Sequence, residues 1–331
     1  MEIRVRNVND ALPEALWKLS AGKYAEEATR NGPVLAFPEP VITTYRYPQE
    51  RMLFCPDRDA NPVFHILESL WMLAGRRDVA FLQQFNSKIG QYSDDGKNFN
   101  AAYGHRWRSH FGQDQLHIVI RLLRKDPSSR QAVIQMWDTA DLTRSTKDKA
   151  CNTQIVFDVR GGRLGMTVFN RSNDLWWGAY GANAVHFSML QEFVAAAVGV
   201  KMGTYRQVSN NLHLYLDPSV YDGRSILERR SSFEGYDLYA SAQVRPASLM
   251  ANDNYRTFLD ECALFCDAPF SSHTYRHAYF NNVARPLAMI SHTRRTKSGD
   301  GSVWADRITH EDIRRAAHIW IQRRELAKAE K

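Results

Sequence analysis

Cys151 stands at the head of an apolar stretch, residues 153–159, that reads as a buried strand. A cysteine does chemistry as its thiolate, which attacks electron-poor carbon, and a nearby cation lowers its pKa. After Gly161-Gly162, a pair suited to a tight hairpin, residues 164–169 return as a second strand and deliver Asn170, Arg171, Ser172, Asn173 and Asp174. Adjacent strands would set Arg171 beside the sulfur and activate the thiol. Taken alone, a cysteine is more often a small buried hydrophobe, so other segments must decide.

Glu68 is the next candidate. It lies in a helically spaced stretch, residues 62–82, with Leu67, Leu70, Trp71 and Leu73 on one side. A carboxylate among apolar neighbours suits proton transfer; the alternative is a buried glutamate satisfied by backbone groups. Cys262, Cys266, His273 and His277 have the donor types of a tetrahedral zinc site. The interval from Cys266 to His273 is short for a zinc finger, however, and Cys262 with Cys266 fits one turn of an apolar helix beside Leu264 and Phe265. No metal site is expected.

The chain that must position these groups has 331 residues, 44% apolar and 24% charged, which are ordinary globular statistics. No apolar run is long enough for a membrane span, and residues 1–10 carry charges where a signal peptide would be apolar. A soluble, cytoplasmic protein is expected. Four cysteines are too sparse to staple this length, so free thiols are the simpler reading. The formal charge of +7 is scattered apart from two basic runs, residues 294–297 and 314–331. A site for small phosphate-bearing molecules accounts for it without nucleic-acid binding.

Residues 33–48 read as an irregular loop followed by an extended segment, residues 132–137 as a strand, 184–198 as an apolar helix and 204–210 as another strand. This order implies an α/β (α+β) fold, a mixed twisted sheet packed with helices. Beyond about Asp217 the texture changes to turns and amphipathic stretches at residues 255–266 and 310–329. The expected division is a catalytic core, 1–217, and a partly helical C-terminal extension, 218–331, packed on it.

The run Cys151-Asn152-Thr153, the Arg171-Ser172-Asn173-Asp174 segment followed by Gly178 and Asn183, and His213-Leu214-Tyr215 resemble the thymidylate synthase and pyrimidine hydroxymethylase family in order and spacing. Upstream, Glu68-Ser69-Leu70-Trp71, Tyr103-Gly104-His105-Arg106-Trp107-Arg108 and Asp126-Pro127-Ser128-Ser129-Arg130 match as well. The resemblance implies one-carbon transfer from methylene-tetrahydrofolate to C5 of a pyrimidine nucleoside monophosphate. Cys151 would add to C6 of the ring, Glu68 would organise water for proton transfers and Tyr103 would assist proton removal at C5. Arg171, Ser172 and the loop residue Arg30 would hold phosphate, with Arg130 donated by the partner of a homodimer. Where the family usually has two consecutive arginines at that last position, this chain has Arg130-Gln131. His213 and Tyr215 would bond the sugar, and Asp174, with Ile89 and Trp177, would face the folate.

Asn183 matches the residue that reads the base, and an asparagine there favours dUMP. The loop from Gly178 to Ala182 looks one residue longer than usual, so Ala182 could take that place instead, and His186 could reopen dCMP. The product is the second question. The family's synthases shield their intermediate with a tryptophan roughly fourteen residues before the tyrosine, where this chain has Ile89 with Tyr92 nearby. They also end in a short apolar tail, whereas this chain ends Ala327-Lys328-Ala329-Glu330-Lys331. Both departures, with Cys-Asn-Thr where many synthases have Cys-His, favour water as the final nucleophile. The implied protein is a hydroxymethylase of the kind associated with phages that make modified DNA bases, working in a bacterial or phage-infected cell; reductive methylation is the alternative.

Overall fold

The computed structural model describes residues 1–250 and 254–329. Glu330 and Lys331 of the polar tail, and Asn252 in the expected extension, lie outside the described residues. Among the described residues ten strands form two sheets: β1 (Glu2–Val5), β2 (Glu26–Thr29), β3 (Gly32–Ala36), β4 (Val41–Tyr45), β5 (Val133–Gln135), β6 (Asn152–Arg160), β7 (Arg163–Asn170), β8 (Asn173–Asp174), β9 (Lys201–Ser209) and β10 (Leu212–Tyr215). The larger sheet runs β1-β4-β9-β7-β6-β5 and the smaller β2-β3-β10-β8. Both are mixed: β7 pairs antiparallel with β6 and parallel with β9, and β10 pairs antiparallel with β3 and parallel with β8.

The β6–β7 hairpin turns through Gly161 and Gly162, whose φ values of 55° and 68° favour glycine and match the handed two-residue turn that strand twist prefers. The turn aligns Asn152 with Asn170 and carries Arg171 back to the start of β6, where its amide donates to the Cys151 carbonyl at 2.9 Å. A register shift between Asn152 and Gln154 interrupts the ladder of β6 just after the cysteine.

The stretch 62–82 is not one helix. Asn61 caps Pro62–Leu73 by accepting from the Phe64 amide, Gly75 ends it with φ 73°, and Asp78 then caps a separate short helix, Val79–Gln83. Within Pro62–Leu73 every residue but Glu68 is buried. The helix Asn183–Val198 is also buried on nearly all sides, packed between this helix and strands β7 and β9. Residues 33–36, expected as irregular loop, form strand β3, because the sheet pairing with β10 overrides the proline at its start.

Helices Tyr255–Asp267, Arg285–Thr296 and Glu311–Ala329 all pack against the helix carrying Glu68. Cys262 and Cys266 are buried in the first of them, and all four cysteines are free thiols. His277 Nδ1 lies 2.6 Å from Glu261, while His273 stands edge-on to Tyr275. Among the described residues no three potential ligands cluster as a metal site would need, and no helix is long and apolar enough to cross a membrane.

Candidate active site

Cys151 is half-buried at the mouth of β6. Arg171 bonds the loop that precedes it, Nε to the Ala150 carbonyl at 3.0 Å and Nη2 to the Lys149 carbonyl at 3.4 Å, while its guanidinium lies 5.2 Å from the Trp137 ring centre. The hairpin therefore does bring Arg171 to the cysteine. The expected activation is incomplete, because burial pushes the Cys151 thiol up; Arg171 opposes it, and Asp148 and Asp174 add to the rise. Asp148, half-buried in that loop and accepting from the Ala101 amide at 2.8 Å, had no sequence signal.

Tyr103 opens a short helix, Tyr103–Arg108, that sits hard against the Glu68 helix: a Cβ on Gly104 would come within 1.9 Å of the Met72 carbonyl. Its hydroxyl feels the Cys151 sulfur and the backbone amides of Asn152 and Cys151, and burial raises its pKa strongly. Its ring stacks on Phe187 with centres 5.9 Å apart. Glu68 Oε2 is 3.2 Å from His186 Nε2. That is ion-pair distance, yet the angle is not that of a hydrogen bond, and the buried Nε2 has no other partner among the described residues. His186 is thus turned to Glu68, with His65 edge-on behind it; burial and His186 hold the His65 pKa well below its usual range.

Arg30, Ser172, His213 and Tyr215 line one cleft of about 290 Å³, together with Glu27 and Asn211. Arg30 lies in the turn between β2 and β3, where Gly32 has φ 108°. His213 and Tyr215 come from β10, their rings edge-on at 5.0 Å; Asn211 Oδ1 lies 2.8 Å from His213 Nδ1, and Asn31 donates to the Tyr215 hydroxyl at 3.4 Å. Burial lowers the His213 pKa. Arg130 is exposed and outside this cleft.

Asp174 is the N-cap of the segment that follows, accepting from the Trp176 and Trp177 amides at 3.0 and 3.4 Å. Sequence reasoning missed its two other partners. Tyr221 donates its hydroxyl to the same carboxylate, and the buried Arg58 guanidinium, stacked over Trp176 at 4.4 Å, contributes attraction. Desolvation still dominates and pushes the Asp174 carboxyl up to about 6. The pKa of Arg58 is itself lowered to about 10 by burial. Trp176 is buried and Trp177 half exposed, at 48%. Ile89 is half-buried at the start of a short turn, Ile89–Tyr92, with Tyr92 exposed.

Between Asp174 and the helix that begins at Asn183 the chain makes a wide, π-type turn, Leu175–Ala182, and leaves helical dihedrals at Tyr180 and Gly181. Such a turn absorbs one extra residue. Its outcome is that Asn183, rather than Ala182, reaches the segment after Ser172: Asn183 Nδ2 donates to Asn173 Oδ1 at 3.1 Å.

A family model described as thymidylate synthase matches residues 45–242. The chain is 44% identical over 336 aligned residues to a deoxyuridylate hydroxymethyltransferase of Pseudomonas phage M6, covering 98% of this chain and 95% of that one. It is 43% identical over 190 residues to the deoxyuridylate hydroxymethyltransferase of Bacillus phage SP01, covering 54% of this chain and 50% of the relative. A thymidylate synthase of Symbiobacterium thermophilum is 33% identical over 163 residues, 45% of this chain and 57% of that one.

Proposed function

This chain belongs to the thymidylate synthase family, and from that premise we propose that it hydroxymethylates C5 of dUMP, with methylene-tetrahydrofolate as carbon donor. The observation that carries the product assignment is the similarity to the phage M6 deoxyuridylate hydroxymethyltransferase, which continues past residue 242, where the synthase match ends.

The cleft lined by Arg30, Ser172, His213 and Tyr215 supports the nucleotide half of the reading. Arg30, Arg171 and Ser172 hold the phosphate, His213 and Tyr215 the sugar, and Asn183 the base. The thiolate of Cys151 adds to C6, so that the electron pair displaced onto C5 and O4 makes C5 a nucleophile. Glu68, at the one opening in an otherwise buried helix, orders water for proton movements at O4 and at the new carbon. Tyr103, beside the sulfur, directs water to the proton on C5. When bound, the folate supplies the one-carbon unit in electrophilic form. Asp174 fits its polar ring: it is an acceptor fixed by backbone amides, ionised above a pH of about 6, and set beside the exposed Trp177. C5 bonds the one-carbon unit and then loses its proton as the carbon–nitrogen bond to tetrahydrofolate breaks; water adds to the exocyclic methylene so formed and the C6–S bond breaks, releasing the 5-hydroxymethyl nucleotide, tetrahydrofolate and the Cys151 thiolate.

The active form we propose is a homodimer in which the exposed Arg130 completes the partner's phosphate site, and the catalytic core as residues 1–217 with an extension, 218–331, that helps to close it. One incubation tests the chemistry. The enzyme is given dUMP or dCMP with methylene-tetrahydrofolate, and nucleotide and folate are read by mass spectrometry. Hydroxymethyl-dUMP with tetrahydrofolate is expected; methylated nucleotide with equimolar dihydrofolate would overturn the product, and turnover of dCMP in preference would overturn the base.

A further inference from the structure

Asn183 is an ambiguous reader on its own. An amide presents a donor beside an acceptor, and rotating it by half a turn exchanges them. In one sense it matches uracil, whose O4 accepts and whose N3–H donates; in the other it matches cytosine, whose amino group donates and whose N3 accepts. Three buried side chains bear on which sense is taken. Gln207 Nε2 donates to the Ala179 carbonyl at 3.1 Å. Asn173 Nδ2 donates to Gln207 Oε1 and to the Ser209 hydroxyl, each at 2.9 Å. Asn173 Oδ1 accepts from Asn183 Nδ2 at 3.1 Å.

The series begins at a backbone carbonyl, which only accepts. Turning Gln207 over would face its oxygen to that carbonyl; turning Asn173 alone would face its oxygen to that of Gln207. Either leaves two acceptors opposed in a site without solvent, since Asn173 is 2% exposed and Gln207 0%. Position is as constrained as polarity. The Asn173 amide donates to the Asn211 carbonyl at 2.8 Å, and a Cβ on Gly178 would come within 2.8 Å of Asn173 Oδ1. One N–H of Asn183 is thereby committed to Asn173. The second N–H and the Oδ1 of Asn183 are then left for the base.

We propose that the relay from the Ala179 carbonyl through Gln207 and Asn173 fixes the polarity of the Asn183 amide and so makes the site select uracil over cytosine. Asn173 and Gln207 are positioning residues that touch no substrate. The inference rests on the reading of Asn183 as the base contact, and the test separates the two.

The measured quantity is the ratio of kcat/KM for dUMP to that for dCMP, with melting temperature recorded for each variant. In Asn173→Ser, the hydroxyl and the water admitted by the smaller side chain offer both donor and acceptor, so Asn183 is free to turn. In Gln207→Met the relay loses its anchor. Whichever of the two folds carries the test: the ratio is expected to fall about tenfold or more, with dCMP turnover holding or rising while dUMP turnover drops. Gln207→Glu still accepts from Asn173 and is expected to keep the ratio despite a lower melting temperature. A proportionate loss on both nucleotides in the serine and methionine variants would reduce the relay to a structural role and overturn the proposal. If Asn183→Ala collapses the ratio while those variants keep it, the relay alone fails. If Asn183→Ala leaves the ratio unchanged, the base-contact reading fails, and the relay with it.

Discussion

The hydroxyl of Tyr221 donates to the carboxylate of Asp174, 47 residues earlier in the chain. The family resemblance points to Asp174 as a folate-facing carboxylate, whereas Tyr221 lies beyond residue 217, in the segment expected to be an extension. The Tyr221 hydroxyl also accepts from the Tyr215 amide at 3.1 Å, and its ring packs near those of Tyr215 and Trp176. One phenol thus joins strand β10, which carries His213 and Tyr215, to the Asp174 carboxylate. Tyr221→Phe removes one donor from a carboxylate that is already short of solvation. Such bonds to charged groups are worth about 1.5 to 3 kcal/mol, so the folate KM is expected to rise about tenfold or more with the dUMP KM little changed. Steady-state kinetics with each substrate varied in turn checks this; equal rises in both constants would argue against it.

Asp174 should also set a pH dependence of stability. Its folded pKa, about 6, lies above the ordinary value of 3.8 because desolvation outweighs its hydrogen bonds. Below the ordinary value the group is neutral in both states and costs nothing. As the pH rises through about 6 the folded protein must hold a charged, half-buried carboxylate, and stability is lost. Asp174→Asn mimics the neutral form. It is expected to melt at about the wild-type temperature at pH 4 and a few degrees higher at pH 8, a gain of about 1 to 3 kcal/mol, while losing activity through the folate. Thermal melts across this range decide; a variant less stable than wild type at pH 8 would show that the ionised form is the better accommodated one.

The pairing of Glu68 with His186 yields a third expectation. His186 Nε2 faces the Glu68 carboxylate at 3.2 Å and is otherwise unpartnered among the described residues. His186→Phe would leave the carboxylate beside an apolar ring. Turnover is expected to fall about 10- to 100-fold with little change in dUMP KM, on the scale of general acid–base effects. In a double-mutant cycle with Glu68→Gln the two losses should be less than additive. Full additivity would mean that His186 acts independently of Glu68.

What the sequence disclosed follows from how locally each feature is encoded. The Gly161-Gly162 turn, the alternation in β6 and β7 and their register put Cys151 and Arg171 together, and all of this lies within about two dozen consecutive residues. Arg58 had no such signal. It sits in a charged stretch, Asp57-Arg58-Asp59, and only the folded chain buries it over Trp176. The ambiguity between Ala182 and Asn183 was real at the level of spacing. It turned on whether the backbone takes a wide turn, and the glycines at 178 and 181 mark that turn without fixing its width. The break at Gly75 was visible in principle, but the apolar spacing continued across it and hid it.

The thiol itself gives the last expectation. Burial raises Cys151 above the ordinary value of 9.0, and Arg171 is the cation that opposes the rise. Alkylation of the free enzyme by iodoacetamide, followed at the peptide containing Cys151, should therefore accelerate with pH and show its midpoint above 9.0. Cys262 and Cys266 are buried in a helix and should react only on unfolding. Arg171→Ala removes the opposing charge and frees the carbonyls of Lys149 and Ala150. Its midpoint should move further upward, and each unit of that movement costs about tenfold in thiolate at pH 8. Arg171→Lys keeps the charge without the fork, so its midpoint should stay near wild type while its dUMP KM rises. A midpoint that moves downward in Arg171→Ala would mean that the loop before Cys151 opens and rehydrates the sulfur, making the arginine's packing, not its charge, what governs the nucleophile.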